Sequence, residues 1–328
     1  MYLQTMLKLR NNHLLLFSHV MRNMIIGKDS RLRGKDIRYR IVIALLLLSG
    51  IITTNTLFSQ SEYTLRFLPG EHQFRSLIAN PQEARLGLWK FFTAEQMKVE
   101  MGGVLDLVTV KNHTHTLALG IEFFGYANVT GNNGLHLQID ALDGFFGGYF
   151  SLIPANEHST ISFRLRLLHH SAHLVDGNWW AHTFPRDWTK PGGPIPFTRD
   201  FGEIVAARHF DISNVSMRLY GGVSYATFFR PENIKRLAYL AGMEIHSSAI
   251  TGTVMEKETN LFTATHISLM GIPDYTSSVQ TKFGIKFGEW NSTGIILYVA
   301  TNNGRNFFAE YLYENLSTYG MGFSIDFP

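Results

Sequence analysis

Tyr319-Gly-Met-Gly-Phe-Ser-Ile-Asp-Phe327 alternates without a break. Tyr319, Met321, Phe323, Ile325 and Phe327 fall on one face of an extended chain, and Gly320, Gly322, Ser324 and Asp326 on the other. Successive side chains of a strand point to opposite faces, so this segment has one oily side and one small, polar side. The same period recurs upstream. In 97–107, Met97, Val99, Met101, Leu105 and Leu107 alternate with Lys98, Glu100, Gly102 and Asp106. In 115–126, Leu117, Leu119, Ile121 and Phe123 alternate with Thr116, Ala118, Gly120 and Glu122. In 279–288, Val279, Phe283, Ile285 and Phe287 alternate with Gln280, Lys282, Gly284, Lys286 and Gly288. Similar patterns stand at 160–173, 215–228, 237–246 and 305–314, and only 231–241 carries a weak helical period.

Each run is about 9–13 residues, the length a tilted strand needs to cross a bilayer. Turn signals separate them: Lys111-Asn112, Gly131-Asn-Asn-Gly134, Pro154-Ala-Asn156, Ser213-Asn214, Asn291-Ser292 and Asn302-Asn-Gly304. A soluble β-sandwich also alternates, but its outward face is charged and its inward face bulky. Here the bulky face carries almost no charge, which suits lipid. The other face carries glycine, serine and isolated charges (Lys98, Glu100, Asp106, Glu122, Arg164, Arg166, Lys282, Lys286), which suits a lumen. The expectation is an all-β, antiparallel transmembrane β-barrel of about twelve strands, with ten to fourteen open. Tyr126, Tyr149, Tyr220, Tyr225, Tyr311, Tyr313 and Tyr319 are candidates for interfacial girdles. The final strand resembles the C-terminal assembly signal of bacterial outer-membrane barrels, although Pro328 follows the terminal aromatic. That resemblance implies a bacterial outer-membrane location, with outer-membrane lipids and the barrel-assembly machinery as partners, the latter engaged through Tyr319 to Phe327.

Of 328 residues, 29 are Lys or Arg and 26 Asp or Glu, and there is no cysteine. Disulfides and thiolate metal sites are therefore excluded. Residues 1–59 hold nine Lys/Arg and two acids, and subtracting these leaves 20 basic and 24 acidic residues in 60–328, a net of −4. The basicity belongs to the leader, so nucleic acid is not an expected partner. Lys35 to Arg40 reads as a positive n-region, Ile41 to Ile52 as an apolar run and Leu57-Phe-Ser-Gln60 as a cleavage site. The run is about half the length of a membrane span, which favours a cleaved signal over an N-terminal anchor. Met21 and Met24 are plausible starts. The expected organisation is a leader over 1–59, a periplasmic lead-in over 60–93, with one possible strand at Arg85 to Phe91, and a barrel over 94–328. The longest stretch without strand character is 172–200.

One constellation could carry chemistry. In Ile161-Ser-Phe-Arg-Leu-Arg-Leu-Leu-His-His-Ser-Ala-His-Leu-Val-Asp176, a strand places Arg164 and Arg166 in the lumen, with His169 and Ser171 at the rim of the oily face. Polar side chains are costly against lipid away from the interface. Side chains at i and i+2 stand side by side, so His169 could take the proton from a Ser171 hydroxyl attacking an ester. This pair resembles the lipid-facing His-x-Ser site of outer-membrane phospholipases A and lipid A deacylases, which implies hydrolysis of membrane-lipid acyl esters. In those families a third group lies about a dozen residues after the serine, where this chain has Thr183. Asp176, Asp200 and Glu203 are substitutes between which the sequence does not choose; Asp176 stands as the tentative third member and His173 as an accessory. No cofactor is expected from the residues themselves, and calcium enters only by analogy with those families.

The wider segment, His169-His-Ser-Ala-His-Leu-Val-Asp-Gly177, resembles the His-x-Ser-Ser-His-Leu-Gly-Asp-Glu signature of an uncharacterised outer-membrane family, a domain of unknown function. His169, Ser171, His173, Leu174 and Asp176 match; Ala172, Val175 and Gly177 depart. Phe67-Leu-Pro69, Ile78-Ala-Asn-Pro81 and Leu219-Tyr-Gly-Gly-Val-Ser-Tyr225 match as well. The family implies a barrel and supplies no activity. Other readings stay open: His169, His173 and Asp176 as metal ligands, or His and Ser as strand-end caps bonded to loop backbone or lipid headgroups. The alternative to a hydrolase is a non-catalytic barrel, either a small pore or a surface-binding protein.

Overall fold

A computed structural model describes residues 63–132, 136–155, 161–174, 197–254 and 256–327. The expected leader over 1–59 and Asp176 lie outside these residues. Among the described residues fourteen strands run in chain order: β1 (Thr64–Phe67), β2 (Leu86–Phe91), β3 (Gln96–Lys111), β4 (His115–Asn132), β5 (His136–Pro154), β6 (Ile161–Leu174), β7 (Phe197–Ile212), β8 (Val215–Arg230), β9 (Leu237–Ser247), β10 (Thr253–Val254), β11 (Lys257–Gly271), β12 (Tyr275–Phe287), β13 (Gly294–Asn303) and β14 (Thr318–Asp326). All pairings are antiparallel. β2 pairs with both β3 and β14, which closes a ring of twelve strands. β1 continues the β2 side of β3 at its far end, and β10 only extends the turn before β11.

The alternation read from the sequence is the alternation of the wall. Leu119, Ile121 and Phe123 on β4, Phe163, Leu165 and Leu167 on β6, Leu297 and Val299 on β13, and Met321 and Phe323 on β14 all project outward and are exposed. So much apolar surface belongs in lipid, where a closed barrel leaves no backbone group unpaired. All eight charges assigned to the lumen are buried. Tyr225, Tyr313 and Tyr319 are exposed, but Tyr126, Tyr149 and Tyr220 are not girdle residues. Their strand phase turns them inward, and Tyr149 and Tyr220 lie over Gly120 and Gly242, where a Cβ would sit 2.2 Å from each phenol oxygen.

Two segments differ from expectation. Residues 305–314 form no strand: Phe307 and Phe308 are both buried, which alternation forbids, and a short 3-10 turn follows at Ala309–Tyr311. Phe307 stacks on Trp89 and lies edge-on to Phe91, while both Phe307 and Phe308 meet Tyr126 edge-on. The expected lead-in also ends earlier than residue 93, because β2 is a barrel strand. Before it, residues 68–85 fold into the lumen as a plug. Glu83 receives two bonds from Arg164, at 2.5 and 2.9 Å, Pro81 carbonyl accepts Lys98 at 3.0 Å, and Ile78 amide donates to Glu244 at 2.7 Å. Burial alone would raise the Glu83 carboxyl, but the Arg164 and Arg166 guanidiniums outweigh it and hold the group at about 2. Leu77 and Phe74 pack with Val205, Ala207 and Tyr220, so the plug shares an apolar core with the wall.

The two longest segments joining strands of the ring, 175–196 and 304–317, are at one end of the barrel, and the shortest, 213–214, is at the other. Outer-membrane barrels keep their short turns in the periplasm, so β6 ends and β7 begins at the outer surface.

Candidate active site at the outer rim

β6 brings His169 and Ser171 to the outward face near its outer end, as its phase requires. Its inward residues 162 to 172 are buried without exception, while His169 and Ser171 are half-buried. β7 pairs with β6 so that Asp200 stands directly opposite His169. The two side chains meet, with His169 Nδ1 at 2.6 Å from Asp200 Oδ1. An ionised carboxylate only accepts, so Nδ1 carries a proton, and Nε2 is the nitrogen that is basic whenever the ring is neutral. Nε2 has no hydrogen bond among the described residues.

The surroundings hold this pair in place. Phe146 of β5 lies against the other side of the His169 ring, with centroids 4.7 Å apart. At Asp200 the β7–β8 register shifts by one residue. Thr227, the extra residue of this bulge, donates its hydroxyl to the Asp200 carbonyl at 3.2 Å. Bulges re-aim side chains. Ser171 lies between Gly144 on β5 and Thr198 on β7. Gly144 places no side chain beside the serine, and a Cβ there would make only ordinary contact, 3.8 Å from the Ser171 carbonyl oxygen. Toward the membrane interior the site borders Leu167, Ile204 and Phe146, all exposed.

The residues singled out by sequence thus separate. His169 and Ser171 share the outward face. His173 is on β6, with its side chain outside the described set, and Asp176 is outside it altogether. Glu203 faces the lumen and pairs with Arg166 at 2.6 Å, so it is not available to His169. Among the described residues no three His, Asp or Glu side chains are placed to hold a metal ion. Asp200 is the partner that sequence reasoning could not select.

No family model matches the chain, and no curated protein matches it in sequence. Among solved structures it is similar to LpxR from Salmonella typhimurium, with a TM-score of 0.36, 11% identity, and 71% of this chain and 88% of that one covered. It is similar to the beta domain of the Bordetella autotransporter BrkA, with a TM-score of 0.41, 10% identity, and 74% and 97% covered. It is also similar to outer-membrane expressed OmpT of Vibrio cholerae, with a TM-score of 0.31, 8% identity, and 82% and 98% covered. The assignment to an outer-membrane β-barrel stands on this chain's own strand pairing and lipid-facing surface.

Proposed function

We propose that this barrel is a hydrolase of membrane-lipid acyl esters, working from its outer, lipid-facing rim. The observation that carries the reading is the 2.6 Å contact between His169 Nδ1 and Asp200 on a surface otherwise given to apolar side chains. Asp200 fixes the tautomer. Nε2 then accepts the Ser171 Oγ proton as Oγ attacks the acyl carbonyl. The imidazolium returns that proton to the departing alkoxide, leaving an acyl-serine. Water, deprotonated by the same Nε2, cleaves the acyl-serine and releases a fatty acid. Asp200 replaces Asp176 in the orienting role. Calcium, expected only by analogy, has no described ligand cluster, and no step is routed through it. The plug over 68–85 favours this reading over a small pore.

The test uses the full chain, purified in detergent and assayed for fatty-acid release from mixed micelles containing phospholipid or lipid A. The parent is expected to hydrolyse one of them and Ser171→Ala to lose that activity while remaining folded by heat-modifiability on gels. Equal rates for parent and variant, or no release by the parent, would overturn the proposal. The His169–Asp200 pair would then be a polar rim contact of a non-catalytic barrel.

A further inference from the structure

We infer that the lumen holds a binding site for a small oxyanion, a phosphate or carboxylate, at its periplasmic end, anchored by Lys282 and Arg85. A cavity of about 540 Å³ lies there between the plug and the wall, within the size range of small-molecule sites. Lys282 from β12, Tyr298 from β13, Ser324 from β14 and Arg85 from the end of the plug all line it.

The charges around this cavity do not balance on the Lys282 side. Arg218 pairs with Glu244 at 2.6 Å, and Arg75 with Asp326 at 2.5 Å. Lys282 is 3% exposed and has no hydrogen bond or ion pair among the described residues; its ammonium lies 4.3 Å from the centre of the Tyr298 ring. Arg85 donates to the Asn80 and Leu77 carbonyls and is 3.8 Å from Glu100. Glu100 in turn accepts Lys98 at 2.7 Å through Oε1, while its buried Oε2 accepts no hydrogen bond among the described residues. Three basic side chains, Lys98, Arg85 and Lys282, therefore act on one carboxylate. A buried ammonium without a hydrogen-bond acceptor is costly, and a cation–π contact satisfies none of its three donors. An oxyanion offers what is missing: several acceptor oxygens for the Lys282 ammonium and a planar edge for the Arg85 guanidinium.

Calorimetry on the full chain in detergent, titrated with inorganic phosphate or succinate at constant ionic strength set by chloride, tests this. One saturable site per barrel is expected for one of the two anions, with a matching rise in thermal midpoint. Lys282→Met, which keeps the length and removes the charge, should weaken binding by roughly tenfold or more, and Lys282→Arg should retain it. Saturable binding of phosphate identifies a phosphate site, and of succinate a carboxylate site. Heat from neither anion in the parent overturns the inference and leaves Lys282 to Glu100 alone. Unchanged affinity in Lys282→Met overturns it too, because the anion then sits elsewhere. Should Lys282→Met fail to assemble, the parent titration and Lys282→Arg still decide.

Discussion

His169 and His170 are neighbours on one strand with nearly the same aspartate contact, 2.6 Å to Asp200 and 2.7 Å to Asp143. Everything else about them differs. His170 faces the lumen, stacks on Phe145 at 3.8 Å and uses both ring nitrogens: Nε2 meets Asp143, and Nδ1 accepts from Arg199 at 3.3 Å. Asp143 is buried and also accepts the Ala309 amide, which ties the 304–317 segment into the barrel. His169 faces lipid, presents Nδ1 to a half-exposed aspartate and leaves Nε2 without a hydrogen bond among the described residues. The opposite tautomers follow from which nitrogen each aspartate meets. A saturated, buried pair is structural, whereas an unsaturated one at an accessible rim can do chemistry.

The largest effect that would sharpen this contrast is expected from Asp200→Asn. Without the carboxylate, Nδ1–H is no longer enforced, and kcat for ester hydrolysis should fall on the order of 10²–10⁴-fold with little change in unfolding midpoint. Fatty-acid release measured beside denaturant unfolding separates the two readouts. Parent-like activity in Asp200→Asn would break the distinction.

In the lumen the expected losses are in stability. Arg164→Met leaves Glu83, buried and ionised, with Arg166 at 3.8 Å as its nearest remaining ion-pair partner. That should cost about 3–5 kcal/mol in urea unfolding from lipid vesicles. The same carboxylate sets an acid limit. Held at about 2 in the folded chain, below its ordinary value of 4.5, Glu83 contributes stability that is fully present above that ordinary value. It is lost as the pH falls from there toward about 2. Unfolding midpoints followed down that window should drop in the parent and drop less in Glu83→Gln. A parent curve no steeper than the variant's would show that the ion pair does not hold the plug.

Asp143→Asn is the counterpart of Asp200→Asn on the other face. It keeps the shape, weakens the bonds to His170 and Ala309, and should destabilise by about 1–3 kcal/mol while leaving hydrolysis intact. Activity lost in proportion to Asp200→Asn would mean that the two histidines act as one unit.

What the sequence reveals tracks how differently the two faces of a strand are made. β4, β6, β12 and β14 put bulk outside and glycine, small residues or charge inside, so their phase, and with it the placement of His169 and Arg164, was readable. β5, β7 and β13 carry large residues on both faces: Phe145 in and Phe146 out, Phe201 in and Ile204 out, Tyr298 in and Leu297 out. Their alternation is blurred, and Asp200 lies on one of them. It meets His169 through a pairing across 31 residues of chain, which no local period encodes. An acid in the lipid-facing phase of a strand was the available signal, the same anomaly that marked His169. The plug has no period because its groups answer to separate walls: Glu83 to β6, Pro81 to β3, Ile78 to β9.

The smallest expected effect comes from the outer rim. Arg230 and Glu232 approach to 2.6 Å, the same distance as Arg166 and Glu203 in the lumen. Side-chain exposures of 56% and 79% put the rim pair in water, where screening and side-chain entropy cancel most of the attraction. Arg230→Ala should therefore shift stability by less than about 0.5 kcal/mol, and the shift should vanish in high salt. The lumen pair has no water to fall back on, so removing either partner leaves a stranded charge. A rim variant as damaging as Arg164→Met would mean that contact length, rather than what surrounds the contact, governs this barrel. The same result would remove the ground for treating His169 and His170 differently.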